Sequence, residues 1–382
     1  MIDTPLAPSL YFPALRTQPA ELRALRELDK ARKTRMLPVM TLMPLPDGPP
    51  DLKRSARRAA EVMQGLPHLI ELPPLAERST ELEAPLSRLL DPSDGFRAWR
   101  TFAASCKRAV PVVQLAEHGV GVAVDHAAEG ETTRQAQAIE AAFGLVVFRL
   151  RGRWPRVEPV VQALRSLRAP ERAVVMVDLG IERDWLLGCA GIARGMLEKL
   201  WAASPGTRMV VMGNSFPAQP RGSGGGRQAI GGRLGILERE LHRRLGGVTA
   251  VGYGDHASVH AADAVEPELP RGHGRVDYAR ENEWLCERGR AGTSDEAHAQ
   301  AAQAIVDAAP ELGTRGAWGE HEIMEAANGR PYARGRSAWT AVRVNLHLAA
   351  QVDGLRGRPA EVPLSQASDL PSSGAVEQSS TV

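Results

Sequence analysis

Cysteines, aromatic residues and net charge are all scarce in this chain. Its three cysteines, Cys106, Cys189 and Cys286, lie far apart among 382 residues and fit no metal-binding spacing, and their odd number argues against a disulfide framework. The 47 basic and 45 acidic residues leave a formal charge of +2, so no strong overall field attracts nucleic acid or an anionic membrane. We therefore expect a protein of a reducing compartment, without nucleic-acid binding driven by its overall charge.

Long apolar runs are also missing. The sequence has no stretch of about 18 consecutive apolar residues, and its start has no basic region followed by an apolar core. These features predict that the chain neither spans a membrane nor is exported, and we expect it in the cytoplasm. With 43% hydrophobic residues, it can still fill the core of an α/β barrel, which takes about 250 residues.

Short Val-rich runs alternate with helix-like segments through residues 1–260. Those at 145–151, 173–178 and 208–217 are too short for a helix, and each follows a helical pattern. Such runs are typical of strands buried on both faces of a parallel sheet. We predict eight strands, which start near Leu10, Leu37, Leu69, Val110, Leu145, Val174, Met209 and Thr249.

Eight strand–helix units predict a closed (β/α)8 barrel of the TIM type, because a count of eight closes a barrel. An open doubly wound sheet is the alternative, and it is weaker because no Gly-x-Gly-x-x-Gly turn follows the first strand. We expect the barrel core at 1–260, a C-terminal helical and irregular extension at 261–356, and a disordered tail at 357–382. The Gly-rich segment 221–232 is predicted to be a mobile lid or a linker.

Several short motifs also follow one another in a recognisable order. They are Leu-Tyr-Phe-Pro-Ala-Leu-Arg at 10–16, Glu-Leu-Arg-Ala-Leu at 21–25, Asn-Ser-Phe-Pro at 214–217, Tyr-Gly-Asp-His at 253–256, the segment 278–288 around Trp284, Trp318-Gly319 with Ile323, and the segment 339–347. Together they resemble the phage beta-protein family across most of the chain. The resemblance implies the family's fold and a phage or bacterial genomic setting, and it brings no settled biochemical activity. Two positions depart from the family pattern: Arg16 stands where the family often has Lys, and one histidine, His347, stands where the family often has an adjacent pair.

Polar residues follow the apolar part of most predicted strands. The carboxyl ends of parallel barrel strands share one edge, where barrel enzymes bind their ligands. We therefore predict a site at this mouth. The candidate catalytic residues are Glu71, Asp178, Asp255 and His256, and the candidate ligand-binding residues are Arg16, Gln114, Arg149, Arg151, Asn214 and Ser215.

These residue types support anion binding and acid–base chemistry. Arg149 and Arg151 can hold a phosphate or carboxylate through bidentate contacts, and the carboxylates can bind a divalent metal or transfer protons. His256 can be a general base or a metal ligand. The alternative for Glu71 is a structural ion pair with Arg149 that satisfies buried charge.

Two functions stay open at this point. The first is a barrel hydrolase of the phosphoester type that acts on a phosphorylated or nucleotide-like ligand, with a divalent metal as a possible cofactor. The second is a non-catalytic interaction protein of phage defence or counter-defence, which uses its extension to contact a protein partner. Fold alone does not separate them. Convergence of the strand-end side chains in one open pocket favours the enzyme, whereas closed ion pairs favour the scaffold.

Overall fold

The computed structural model describes residues 7, 10–74, 82–115, 126–152, 155–180, 183–217, 231–259 and 272–355. The predicted tail at 357–382 and most of the Gly-rich segment lie outside the described residues. The described strands are β1 (Tyr11–Arg16), β2 (Val39–Thr41), β3 (His68–Glu71), β4 (Ala109–Pro111), β5 (Val146–Arg151), β6 (Ala173–Asp178), β7 (Arg208–Met212), β8 (Gly231–Gly235), β9 (Gly252–Asp255), β10 (His273–Ala279) and β11 (Glu283–Arg290).

Eight of these strands form one parallel sheet in the order β4-β3-β2-β1-β9-β7-β6-β5. A bridge between Val112 and Val147 joins the first strand of this order to the last. The predicted (β/α)8 barrel is thus confirmed over the open sheet. The eighth strand begins at Gly252 rather than near Thr249, because residues 247–249 form a short 3₁₀ turn.

Apolar side chains from alternate strand positions fill the barrel interior. Strand β9 offers glycines at its inward positions. A Cβ on Gly254 would lie 2.7 Å from the carbonyl oxygen of Phe12 and 2.8 Å from Cγ of Met212. This close packing requires glycine, so the first inward side chain that follows β9 is that of His256.

Helices surround the barrel and build the extension. They are α1 (Pro19–Arg26), α2 (Lys30–Lys33), α3 (Leu52–Val62), α4 (Glu83–Leu89), α5 (Ser93–Ala104), α6 (His126–Phe143), α7 (Glu158–Ser166), α8 (Arg183–Leu186), α9 (Ala190–Ala203), α10 (Leu237–Arg244), α11 (Ser294–Ala308), α12 (Trp318–Ala327) and α13 (Gly335–Gly354). Helix α3 is an example of how the local sequence forms a helix. The Asp51 side chain caps the first turn by accepting a hydrogen bond from the backbone amide of Lys53 at 2.8 Å, and the apolar stripe of the helix is buried. Among the described helices, none has the length and apolar character that crossing a bilayer would take.

The extension contains an antiparallel sheet that the sequence did not reveal. Strands β10 and β11 form a hairpin, and β8 pairs with the other edge of β11, from Glu283 opposite Gly235 to Glu287 opposite Gly231. The helical and irregular extension predicted at 261–356 therefore also contains strands, β10 and β11. The C-terminal bound of the predicted lid or linker at 221–232 is wrong, because residues 231 and 232 belong to β8. The pairing of β8 with β11 joins segments about 50 residues apart in sequence, so no local sequence pattern reveals it.

Helix α13 packs the extension against the barrel. It is buried along most of its length. The Asn345 side chain donates to the carbonyl oxygen of Ala24 in α1 at 3.0 Å and accepts from the amide of Gly319 in α12 at 3.0 Å. Near the surface, Arg32 pairs with Asp353 at 2.7 Å. These contacts place the end of α13 against the first helices of the chain.

Candidate functional site

A cavity of about 200 Å³ opens at the carboxyl ends of the barrel strands, and we call it the mouth cavity. Strands β1, β2, β3, β5 and β6 each contribute their last residue, and His256 follows β9. Its polar lining residues are Arg16, Glu21, Thr41, Glu71, Arg149, Arg151, Asp178 and His256. The structure thus brings together six of the predicted site residues, whereas Thr41 and Glu21 were not predicted.

Arg149 forms the floor of this cavity with two carboxylates. Its Nη1 lies 2.5 Å from Oε1 of Glu71, and its Nη2 lies 2.6 Å from Oδ2 of Asp178. All three side chains are buried. Burial by itself raises the pKa of Glu71, but the nearby Arg149 and Arg151 outweigh burial and hold that pKa below its usual range. The structural ion pair considered for Glu71 and Arg149 is therefore present.

Asp178 also holds His256. The His256 Nε2 lies 3.0 Å from Oδ1 of Asp178, and the same oxygen accepts the amide of Gly180 at 3.0 Å. Burial raises the pKa of Asp178, but His256 and Arg149 outweigh burial and hold it well below its usual range. The carboxylate is therefore ionised near neutral pH and can only accept, so Nε2 carries the proton. This tautomer leaves Nδ1 of a neutral His256 with a lone pair.

The rim of the cavity carries the more accessible charges. The Arg151 side chain is 32% exposed and contacts Oε2 of Glu71 at 2.5 Å. Arg16 is 14% exposed and lies 3.1 Å from Oε1 of Glu21. Arginines and carboxylates thus alternate around the mouth, and Arg151 is the arginine that solvent reaches most easily among those in the lining.

Asp255 lies on the other side of the barrel wall. Its carboxylate accepts from the hydroxyls of Tyr11 and Tyr253, the latter at 2.9 Å, and contacts Nε2 of His347 at 2.9 Å. It is fully buried and does not line the mouth cavity. The structure therefore corrects the predicted placement of Asp255 beside Asp178. Successive residues of a strand point to opposite faces, so His256 faces the mouth and Asp255 faces helix α13.

Three further predicted residues are also absent from the mouth lining. Asn214 donates to the carbonyl oxygen of Val259 at 2.8 Å and accepts from the amide of Phe216, which makes it a buried turn residue. Ser215 is buried and donates to Glu238. Gln114 does not line the cavity, and its backbone amide donates to the side-chain oxygen of Gln135 at 3.0 Å. Their predicted role in ligand binding finds no support in this geometry.

A second polar group lies between the barrel and the extension, and we call it the interface cluster. It consists of Glu238 at the start of α10, Asp255 and His347 of α13, all buried. Burial and the nearby Asp255 carboxylate raise the pKa of Glu238 to about 7. Burial also raises the pKa of Asp255, but His347 and the hydrogen bonds around it keep it below its usual range. No sequence pattern singled out Glu238, and His347 appeared only as a family motif position.

Comparison with known proteins covers both of these sites. The chain matches the family model described as Beta protein over residues 11–353. It is also 30% identical to Protein beta of Enterobacteria phage P4 over 348 residues, which is 90% of this chain and 93% of that protein. The chain belongs to the beta protein family. In this beta protein the matched range contains the whole barrel, the antiparallel sheet and nearly all of α13, so the family resemblance inferred from the motifs is confirmed for barrel and extension together.

Proposed function

We propose that the mouth cavity binds the phosphate end of a small phosphorylated or nucleotide-like ligand and hydrolyses its phosphoester bond. The observation that carries this proposal is the contact of His256 with ionised Asp178 beside Arg151 in one open cavity. A histidine held by a carboxylate, next to an accessible arginine, combines proton transfer with anion binding.

The arginines at the rim of the mouth cavity, Arg16 and Arg151, bind the phosphate group of the ligand. Arg149 already contacts Glu71 and Asp178, so it positions these carboxylates. Arg151 contacts Glu71, Arg16 contacts Glu21, and both arginines lie at the cavity. An incoming phosphate offers three oxygens to an arginine fork. A volume of about 200 Å³ is smaller than most ligand pockets, which hold about 300–1,000 Å³. The cavity therefore fits a phosphate group, while the rest of the ligand extends outward.

The proton chemistry follows from the tautomer of His256. Nδ1 takes a proton from a water molecule, whose oxygen attacks phosphorus as the ester P–O bond breaks. The departing alkoxide takes a proton from a solvent water, and the His256 imidazolium returns its proton to the hydroxide so formed, so the products are an alcohol and inorganic phosphate. Asp178 keeps its charge and stabilises the imidazolium through Nε2. Such positioned proton transfer contributes about 10²–10⁴-fold in rate.

Two variants test this function against a matched control. We expect His256→Asn to bind phosphate esters normally and to lose about 10²–10⁴-fold in turnover. Arg151→Gln should weaken binding about tenfold to a hundredfold, since a hydrogen bond to a charged group contributes about 1.5–3 kcal/mol. Arg58→Gln, on the exposed face of α3 where Arg58 pairs with Glu61, should change neither.

Phosphate release and thermal shift measure these effects. The probes are inorganic phosphate, adenosine mono- and triphosphate, and p-nitrophenyl phosphate. A bound ligand raises the melting temperature of the wild-type chain. Absence of both a thermal shift and phosphate release with every probe would overturn the proposal, as would equal behaviour of Arg151→Gln and Arg58→Gln.

A scaffold that contacts a protein partner in a phage–host setting is the second candidate. Two observations favour it: the floor of the mouth is a closed ion network, and Tyr332 of the extension is 65% exposed. An exposed aromatic residue is a frequent anchor in protein interfaces. Under this alternative, His256→Asn and Arg151→Gln both behave as the wild type in the phosphate experiments.

A further inference from the structure

The interface cluster brings ligand atoms from three distant parts of the chain together. One ligand atom each of Glu238, Asp255 and His347 lies within 4.8 Å of the other two. Glu238 is 2% exposed, and the other two are fully buried. Ligand atoms around one ion at about 2.0–2.2 Å lie no more than about 4.4 Å apart, so small side-chain rotations close the remaining gap.

Among the described residues, no hydrogen-bond partner is found for two polar atoms in this cluster. They are Oε1 of Glu238 and Nδ1 of His347. Buried polar atoms are rarely left so, because each costs about 1–3 kcal/mol. The other oxygen of Glu238 accepts both the amide and the hydroxyl of Ser215. The Ser215 hydroxyl oxygen itself accepts the amide of Leu237 at 2.8 Å, so its hydrogen points to Glu238. These hydrogen bonds orient the Glu238 carboxylate as an acceptor and leave its Oε1 available to a metal ion.

The charge of the cluster is also unbalanced. Within the part of the chain that the structure describes, neither Glu238 nor Asp255 forms an ion pair with a lysine or arginine. The charge of Arg183 interacts with Glu238, but its guanidinium donates to the carbonyl oxygens of Ser215 and Gly235 instead. Two buried carboxylates beside one histidine repel each other, and burial together with this repulsion raises the pKa of Glu238. A divalent cation neutralises both carboxylates at once.

We propose that Glu238, Asp255 and His347 hold a divalent transition-metal ion of the Zn²⁺ or Mn²⁺ type. Carboxylate oxygens with one imidazole nitrogen suit these ions, whereas Ca²⁺ and Mg²⁺ prefer oxygen ligands throughout. The surroundings fit a supporting shell. Tyr11, Tyr253 and the amide of Ala257 donate to Asp255, and the Trp284 ring stacks on His347 with ring centres 5.4 Å apart.

The ion has a structural role in this arrangement. It joins the last barrel strand and α10 to α13 of the extension, and its ligands are buried away from the mouth cavity. Ligands that meet only in the folded chain couple ion binding to folding. The proposal is independent of phosphate chemistry at the mouth.

Metal analysis of the full-length chain is the first test. Protein purified without chelators should contain one Zn²⁺ or Mn²⁺ per chain by inductively coupled plasma mass spectrometry. His347→Gln and Glu238→Gln should lose that ion. Glu240→Gln, on the same helix, should keep it, because Glu240 is a surface residue paired with Arg243 and Arg244.

A second measurement needs only wild-type protein, in case the buried variants fail to fold. The chain is stripped with dipicolinate, and Zn²⁺, Mn²⁺ or Co²⁺ is added back. We expect a raised melting temperature with each ion and visible absorption bands with Co²⁺. Absence of metal in purified protein, together with no response to added ions, would overturn the site and leave protons to neutralise the cluster. An unchanged response in a folded Glu238→Gln would also overturn it, because the ion would then bind elsewhere.

Discussion

At the scale of single residues, Arg149 pairs with both buried carboxylates at the floor of the mouth cavity. It lies within 2.6 Å of carboxylate oxygens from both Glu71 and Asp178, and these three side chains are buried. Breaking a buried pair by removing one partner leaves an uncompensated charge. We therefore expect Arg149 to stabilise the fold, whereas Arg151 and His256 are more exposed members of the mouth lining.

We predict that Arg149→Met lowers the free energy of unfolding by about 3–5 kcal/mol at neutral pH. The pKa values of Glu71 and Asp178 are lowered in the folded state. Their stabilisation is therefore fully present above the pKa of about 4 that such groups have in the unfolded chain, declines as the pH falls below that value, and is lost below the lower pKa of the folded state. The deficit of the variant should shrink from pH 7 to pH 3.

Denaturant unfolding across this pH range measures the effect, with Arg58→Met as the control. Arg58 and its partner Glu61 are each 49% exposed, and such surface pairs contribute about 0–1 kcal/mol. A deficit for Arg149→Met that stays constant down to pH 3 would contradict the ion-network explanation.

At the scale of elements, helix α11 packs unusually close to the β10–β11 hairpin because glycine occupies the contact. A Cβ on Gly289 would lie 1.8 Å from the carbonyl oxygen of Ala297, and one on Gly274 would lie 2.4 Å from the amide nitrogen of His298. A capping box of Thr293 and Glu296 fixes where α11 begins. The backbone of the hairpin thus serves as the packing surface for the helix.

Gly289→Ala should therefore push α11 away from the hairpin. We expect a loss of about 1–3 kcal/mol in the free energy of unfolding, the usual cost of overpacking, and faster amide exchange in α11. Gly191→Ala, in α9 with open space around it, is the control and should be neutral or stabilising by up to about 1 kcal/mol. Similar stabilities for the two variants would show that the hairpin shifts at little cost.

At the scale of the whole molecule, barrel and extension share buried polar contacts. Asn345 satisfies a carbonyl near the end of α1 and an amide near the start of α12, which are positions where helices leave backbone groups without partners. His347, two residues further along α13, reaches Asp255 at the end of β9. Loss of these contacts exposes both parts at once, so we expect them to unfold together.

We predict that Asn345→Ala destabilises the entire chain in a single transition. The two backbone groups left unsatisfied cost about 1–3 kcal/mol each. Asn328→Ala is the control, because Asn328 is exposed and its side chain donates to the carbonyl oxygen of Met324 near the end of α12. Differential scanning calorimetry follows the transition. A barrel that keeps its melting temperature while the extension melts separately would contradict the prediction.

The sequence by itself determined the barrel and much of its mouth. Buried parallel strands appear in the sequence as local Val-rich runs, and the polar residue that ends each run lies at the shared edge, as for Glu71, Arg151 and Asp178. Tertiary structure alone decided which way Asp255 faces, because the glycines of β9 give no alternation of apolar and polar residues, and a shift of one residue exchanges the two faces. It also decided that Glu238 and His347 meet and that β8 pairs with β11. These partners are distant in sequence, so only the packing of the whole chain brings them into contact.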